Sequence, residues 1–241
     1  MDVRAPTRPH TPPVRSQAPG PARLGVVVAL ATGGLTLITF ALALTALPDR
    51  VPYPFTDDVI AAQWPGDYYW MYPAMVLMVL FVALVAAVHE HTHPERRVYS
   101  LLALALSAIA AGVLLVDYWV QVTVMPLSLA KGQLDGWSML TQYNPNGVFL
   151  ALEELGYLLM TLALLGLVPA LSPATRPGRV LRRLFVGSAV AVAGSLAVVT
   201  TLRGTDRGDT FEILVISIVW VTLLVASPLL ALVLRPPKEH A

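Results

Sequence analysis

Four acidic residues stand inside otherwise apolar runs: Asp117, Glu153, Glu154 and Glu212. A charge in hydrocarbon is costly enough to need a reason, and no Lys, Arg or His lies in the runs that hold these acids. Carboxyls without a cation cannot all stay ionised, because desolvation and mutual repulsion both disfavour the charged form. Some must carry a proton or hold a bound cation, which is the chemistry of a proton relay or a cation site. On a helix, Asp117, Gln121 and Val124 share one face; Glu153, Tyr157 and Thr161 share another, and Glu154 aligns with Tyr157 and Thr161 nearly as well. If the two stripes face each other, they enclose a pocket with two or three carboxyls and Gln121, Tyr157 and Thr161 as hydrogen-bonding neighbours.

Two bland readings compete with that pocket. Asp117 and Glu153 or Glu154 could share protons and hold the helices together, or Arg203 could reach in and pair with one of them. Glu212, close to a helix start, reads as an acid facing water where the helix dipole favours it.

Several other chemistries are closed. The chain has no cysteine, hence no disulfide, thiolate metal site or cysteine nucleophile. Its five histidines, His10, His89, His91, His93 and His240, all lie outside the apolar runs, which excludes a bis-histidine haem within a bundle; no cofactor is expected. The pair Glu153-Glu154 is similar to the paired glutamates of the intramembrane CAAX-processing proteases. That family also needs an arginine four residues beyond the second glutamate, where this chain has Leu158, and histidines in later helices, where it has none. A serine site of the rhomboid kind is equally unsupported, with no Gly-x-Ser-x-Gly and no histidine in the apolar runs. His89, His91 and His93 form the one histidine cluster, with a spacing that zinc or nickel could use; followed at once by Pro94, it reads better as a solvated loop without a second shell.

The elements that must position these acids are membrane spans. Of 241 residues 56% are hydrophobic and only 13% charged, with a mean hydropathy of +0.67. Apolar runs recur that are long enough to cross a core of about 30 Å at about 1.5 Å per residue. They predict an all-α bundle of six transmembrane helices over 24–47, 69–88, 99–124, 145–171, 180–202 and 210–234. Asn144 followed by Pro145 suits the start of the fourth, as an N-cap and first-turn proline. Counted from those ends, Asp117 and Glu153 each lie about 12 Å inside their helices and should be level. Residues 1–22, rich in Pro and Arg, predict a disordered tail, and 236–241 a short C-terminal tail. The first run is too long for a signal peptide and is followed by Pro48, Asp49 and Arg50 in place of a cleavage pattern.

Basic residues set the orientation. Twelve of the 16 Lys and Arg fall on one side of the six spans and four on the other (Arg50, Lys131, Arg203 and Arg207), which predicts both termini in the cytoplasm of a cell-membrane protein. The formal charge of +1 gives no argument for nucleic acid. The far side carries an aromatic belt, including Trp64, Tyr68, Tyr69, Trp70, Tyr72, Tyr118, Trp119, Trp137 and Tyr143. There the stretch from Met125 to Tyr143 mixes apolar and polar residues as an interfacial lid would, roofing the pocket with Trp137. Small residues four apart, Ala108 with Gly112 and Gly187 with Ala191, would allow close helix contacts.

The expectation is a non-enzymatic bundle in the lipid bilayer with an outward-facing acidic pocket between the third and fourth spans, for a proton, a cation or a cationic ligand. It would serve transport, sensing or a larger complex, whose protein partners the sequence leaves unnamed. Two alternatives stand beside it: a membrane enzyme using the carboxyls as general acid and base on a lipid-linked substrate, and a purely structural or partner-binding protein.

Overall fold

The computed structural model describes residues 20–46 and 64–235. Among them are seven α-helices and no strand: α1 (Gly20–Thr45), α2 (Met71–Glu90), α3 (Arg97–Ala130), the single turn α4 (Trp137–Leu140), α5 (Val148–Gly166), α6 (Arg176–Arg203) and α7 (Thr210–Val233). All but α4 are long and apolar enough to cross a membrane. The predicted C-terminal tail lies outside the described residues, as does the predicted N-terminal one except for Gly20 to Ala22, which open α1.

Helices α1, α2, α3, α5 and α7 close a ring in which each packs on the next; α6 sits outside it against α5 and α7. Helices this apolar pack most closely where small residues let their backbones approach. The glycines that allow this approach are not the predicted ones. A Cβ on Gly156 of α5 would lie 2.4 Å from Leu114 Cγ of α3, and one on Gly33 of α1 would lie 2.8 Å from Ser227 Cβ of α7. Gly166 likewise backs onto Ala103, and Gly25 onto Leu234 and Ala87. Gly112 and Gly187, by contrast, have nothing within reach, and their partners Ala108 and Ala191 are exposed: both predicted small-residue pairs face away from the ring.

Several boundaries differ from expectation: α3 runs past its predicted end at 124 to Ala130, α5 stops at Gly166 and not at 171, and two helix starts differ for local reasons. Helix α5 begins at Val148, not at Pro145. Asn144 does not cap it: its Nδ2 donates to Ser138 O at 2.7 Å and its Oδ1 accepts from the Asn146 N–H at 2.9 Å, closing a turn before the helix starts. Helix α6 starts at Arg176, earlier than predicted, because Thr175 caps it by accepting from the Gly178 N–H at 3.2 Å, with Pro177 in the first turn.

Between α3 and α5 the chain turns back over the end of the ring. Gly132 and Gly136 take positive φ of 64° and 75°, values that favour glycine, and deliver α4. Trp137 is buried and donates its indole N–H to Met125 O at 3.3 Å. Gln121 holds the segment from below, donating to Leu140 O at 2.6 Å while its Oε1 accepts from the Gln142 N–H at 3.1 Å.

Candidate acidic site

Helices α3 and α5 form the most extensive helix pair of the molecule. Their contacts Leu114–Gly156 and Ala103–Gly166 keep one antiparallel register, which puts Asp117 level with Glu153 although both helix ends differ from those predicted. Both acids are buried, at 3% and 0% exposure. Tyr118 donates its hydroxyl to Glu153 Oε1 at 2.7 Å and lies 3.1 Å from the Tyr157 hydroxyl. Glu153 Oε2 and Asp117 Oδ2 make no complete hydrogen bond among the described residues.

The space beside Glu153 does not lie between α3 and α5. Leu114 against Gly156 fills that interface, and the cavity, of about 500 Å³, opens on the other flank of α5, toward α1 and α7. Its charged lining is Glu153 from α5, Glu212 and Asp209 at the start of α7, and Arg203 at the end of α6. Its walls are aromatic: Phe40, Trp70, Phe149 and Trp220, with Tyr143 and Gln142 from the loop above. Ring contacts weld these walls to the residues around Glu153: Phe40–Trp220 at 5.4 Å, Trp70–Tyr118 at 5.2 Å, Trp70–Trp220, Tyr157–Trp220 and Tyr118–Phe149 at 6.2 Å. The roof is Gln142 and Tyr143, not Trp137, which packs over the end of α3.

Of the six residues of the predicted pocket, Asp117, Gln121, Glu153, Glu154, Tyr157 and Thr161, Glu153 alone lines this cavity. Asp117 is buried on α3, level with Glu153 but not part of the lining. Gln121 is committed to the backbone of the loop above, and the Thr161 hydroxyl donates to the Tyr157 carbonyl of its own helix at 2.9 Å. Tyr157 is buried, its hydroxyl turned to Tyr118. Glu154 points away to Arg207, whose Nη2 donates to Glu154 Oε2. An arginine does pair with one of the acids, then, but it is Arg207; Arg203 donates instead to Thr210 Oγ1 at 2.7 Å.

Glu212 departs most from its sequence reading. It is not a solvated cap: it lines the cavity together with Glu153 and is only partly exposed. The belt assignment also divides. Trp64, Tyr69, Tyr72 and Trp119 are exposed, but Tyr68, Trp70, Tyr118, Trp137 and Tyr143 are buried. Tyr143 donates to Asp67 Oδ2 at 3.0 Å, and burial together with the Tyr68 and Asp67 neighbours holds its hydroxyl well above the ordinary tyrosine range.

The histidine tract forms no metal centre among the described residues. His89 Nδ1 lies 2.8 Å from Ser100 Oγ, His91 Nδ1 turns back to Ala87 O at 2.9 Å, and His93 stands 3.9 Å from Glu95, so the three rings serve three different partners. No protein-family model matches the chain, and no curated protein or solved structure matches it.

Proposed function

We propose that the chain is a multi-pass membrane protein with both termini in the cytoplasm, and that the cavity beside Glu153 is an outward-facing site for a cation. The observation that carries this reading is the Glu153 carboxyl. It is wholly buried, has one oxygen without a complete hydrogen bond, and lines a cavity of about 500 Å³, a size suited to a small ligand. A desolvated carboxylate is stabilised by a bound positive charge or by a proton, and both would be exchanged at this position. Glu212 and Asp209 add negative charge at the mouth against the single guanidinium of Arg203.

The test is isothermal titration of the detergent-solubilised protein with sodium and with tetramethylammonium chloride. Saturable heat with either cation in the wild type, lost in Glu153→Gln, supports the reading. No saturable heat with any monovalent cation, inorganic or organic, or equal heat in the variant, refutes it.

A second reading rests on the difference between the two carboxyls. Glu153 is dry and Glu212 is partly exposed, the arrangement that a general acid and base require. On that reading Glu153→Gln and Glu212→Gln would each abolish turnover of a lipid-linked substrate while leaving cation binding without consequence.

A further inference from the structure

Three carboxyls around a cavity invite the assignment of a metal, but the rest of the lining argues against one. Small inorganic cations need several oxygen ligands to replace their water, and no group of three acidic or histidine residues among the described residues is placed to hold a metal. Beside Glu153 the walls are the rings of Phe40, Trp70, Phe149 and Trp220. Aromatic faces attract a cation through their quadrupole and offer apolar contact to whatever surrounds the charge. A hydrated sodium ion gains little from such walls; an ion that carries its own hydrocarbon shell gains from all of them.

The edge of the cavity points the same way. Leu44 of α1 is 60% exposed and Ile213 of α7 47%, so an apolar rim leads from the flank of the bundle to the buried charge. The two helices are clamped toward their other ends, where Gly33 meets Ser227 and Gly25 meets Leu234; the cavity lies beyond the Phe40–Trp220 contact.

We infer that the ligand of this cavity is a bulky lipophilic organic cation, a quaternary ammonium or phosphonium, seated with its charge toward Glu153 and Glu212 and its substituents against Phe40, Leu44 and Ile213, the accessible part of the lining. The inference rests on the cation-site reading above and narrows it to one chemical class. Glu153 supplies the counter-charge, and Glu212 at the mouth biases the approach toward positive ions. The aromatic walls discriminate by size, preferring a substituted cation to a small one of equal charge.

The experiment compares probes of matched shape and opposite charge on the full chain in detergent: tetraphenylphosphonium, tetraphenylborate and tetramethylammonium, followed by titration calorimetry and by quenching of tryptophan fluorescence. Tetraphenylphosphonium is expected to bind at least tenfold more tightly than either of the others, and Glu153→Gln to weaken it at least tenfold. Phe40→Leu, at a half-buried position on the wall, is expected to weaken tetraphenylphosphonium several-fold and to leave tetramethylammonium unchanged; it guards against loss of fold in a Trp220 variant. Equal binding of the phosphonium and the borate would mean an apolar cleft that takes any hydrophobe, and overturns the inference. If tetramethylammonium or sodium binds through Glu153 but tetraphenylphosphonium binds no more tightly, the cation site stands and the organic-cation assignment falls. If no cation binds, whether because lipid or another stretch of this chain fills the space or because it stays empty, both fall together.

Discussion

The Tyr118 hydroxyl donates to Glu153 Oε1 at 2.7 Å across the α3–α5 interface, so that one carboxyl oxygen is anchored in the packed interior while the other, equally buried, makes no complete hydrogen bond among the described residues. This division separates what the acid does for the fold from what it could do for a ligand. Tyr118→Phe should leave a buried acceptor unpaired and destabilise the protein by about 1–3 kcal/mol. Glu153→Gln keeps an acceptor for Tyr118 and removes an acid that faces Glu212, so its melting temperature in detergent should equal or exceed that of the wild type. A loss in Glu153→Gln as large as in Tyr118→Phe would mean that the carboxylate is structural.

Gly156 sets how closely α3 and α5 approach. Alanine there would drive a methyl group into Leu114, at 2.4 Å from Cγ, and overpacking of this kind costs about 1–3 kcal/mol. The loss should be partly relieved by Leu114→Ala in the same chain, giving a coupling of about 1 kcal/mol or more in a double-mutant cycle. Strict additivity would show that the two helices re-space freely.

The ion pair of Arg207 with Glu154 lies at a partly buried position, with side-chain exposures of 32% and 12%. Arg207→Ala strands the acid and should cost about 1.5–3 kcal/mol, as lost hydrogen bonds to charged groups do. Glu154→Gln with Arg207→Ala should cost less than Arg207→Ala alone, since no charge is then left unpaired. Thermal melts of the three variants check the order.

Tyr143 gives a pH signature. Its hydroxyl is held protonated in the folded state by burial and by the acid it bonds, while in the unfolded chain it ionises near its ordinary value of about 10. A group raised on folding contributes stability that is complete below the unfolded value and is lost as pH climbs past it. Stability should therefore fall above about pH 10, and Tyr143→Phe should flatten that fall while lowering stability near neutrality through loss of the bond to Asp67. An unchanged slope in the variant would remove Tyr143 as its source.

The six long helices were legible because length and apolarity are additive along a chain, and any run that satisfies both announces itself. Glu153 was legible for a related reason: a carboxyl amid Leu, Gly and Ala has no solvent to explain it. Glu212 was not, since a helix start ordinarily faces water; only the packing of α7 against its ring neighbour α5 turns this one inward. Trp70 and Tyr118 were misread as belt residues because interfaces and interiors use the same aromatic side chains. Trp119 at 60% exposure and Tyr118 at 0% are neighbours in sequence, separated only by the turn of the helix. The location of the cavity was hidden most completely, since it depends on which flank of α5 a later helix covers.

Helix α6 lies between α5 and α7 in sequence but outside the ring in space, so the chain leaves the circle of helices and must be steered back into it. The steering falls to residues 204–209, where Gly204 and Gly208 bend the backbone at φ of 63° and 57°, and Arg207 moors the bend to Glu154. Asp209 and Glu212 follow this short bend directly, so its position sets where their carboxyls stand relative to Glu153, and the charge balance of the cavity is tied to a point at its edge, like a tuning peg.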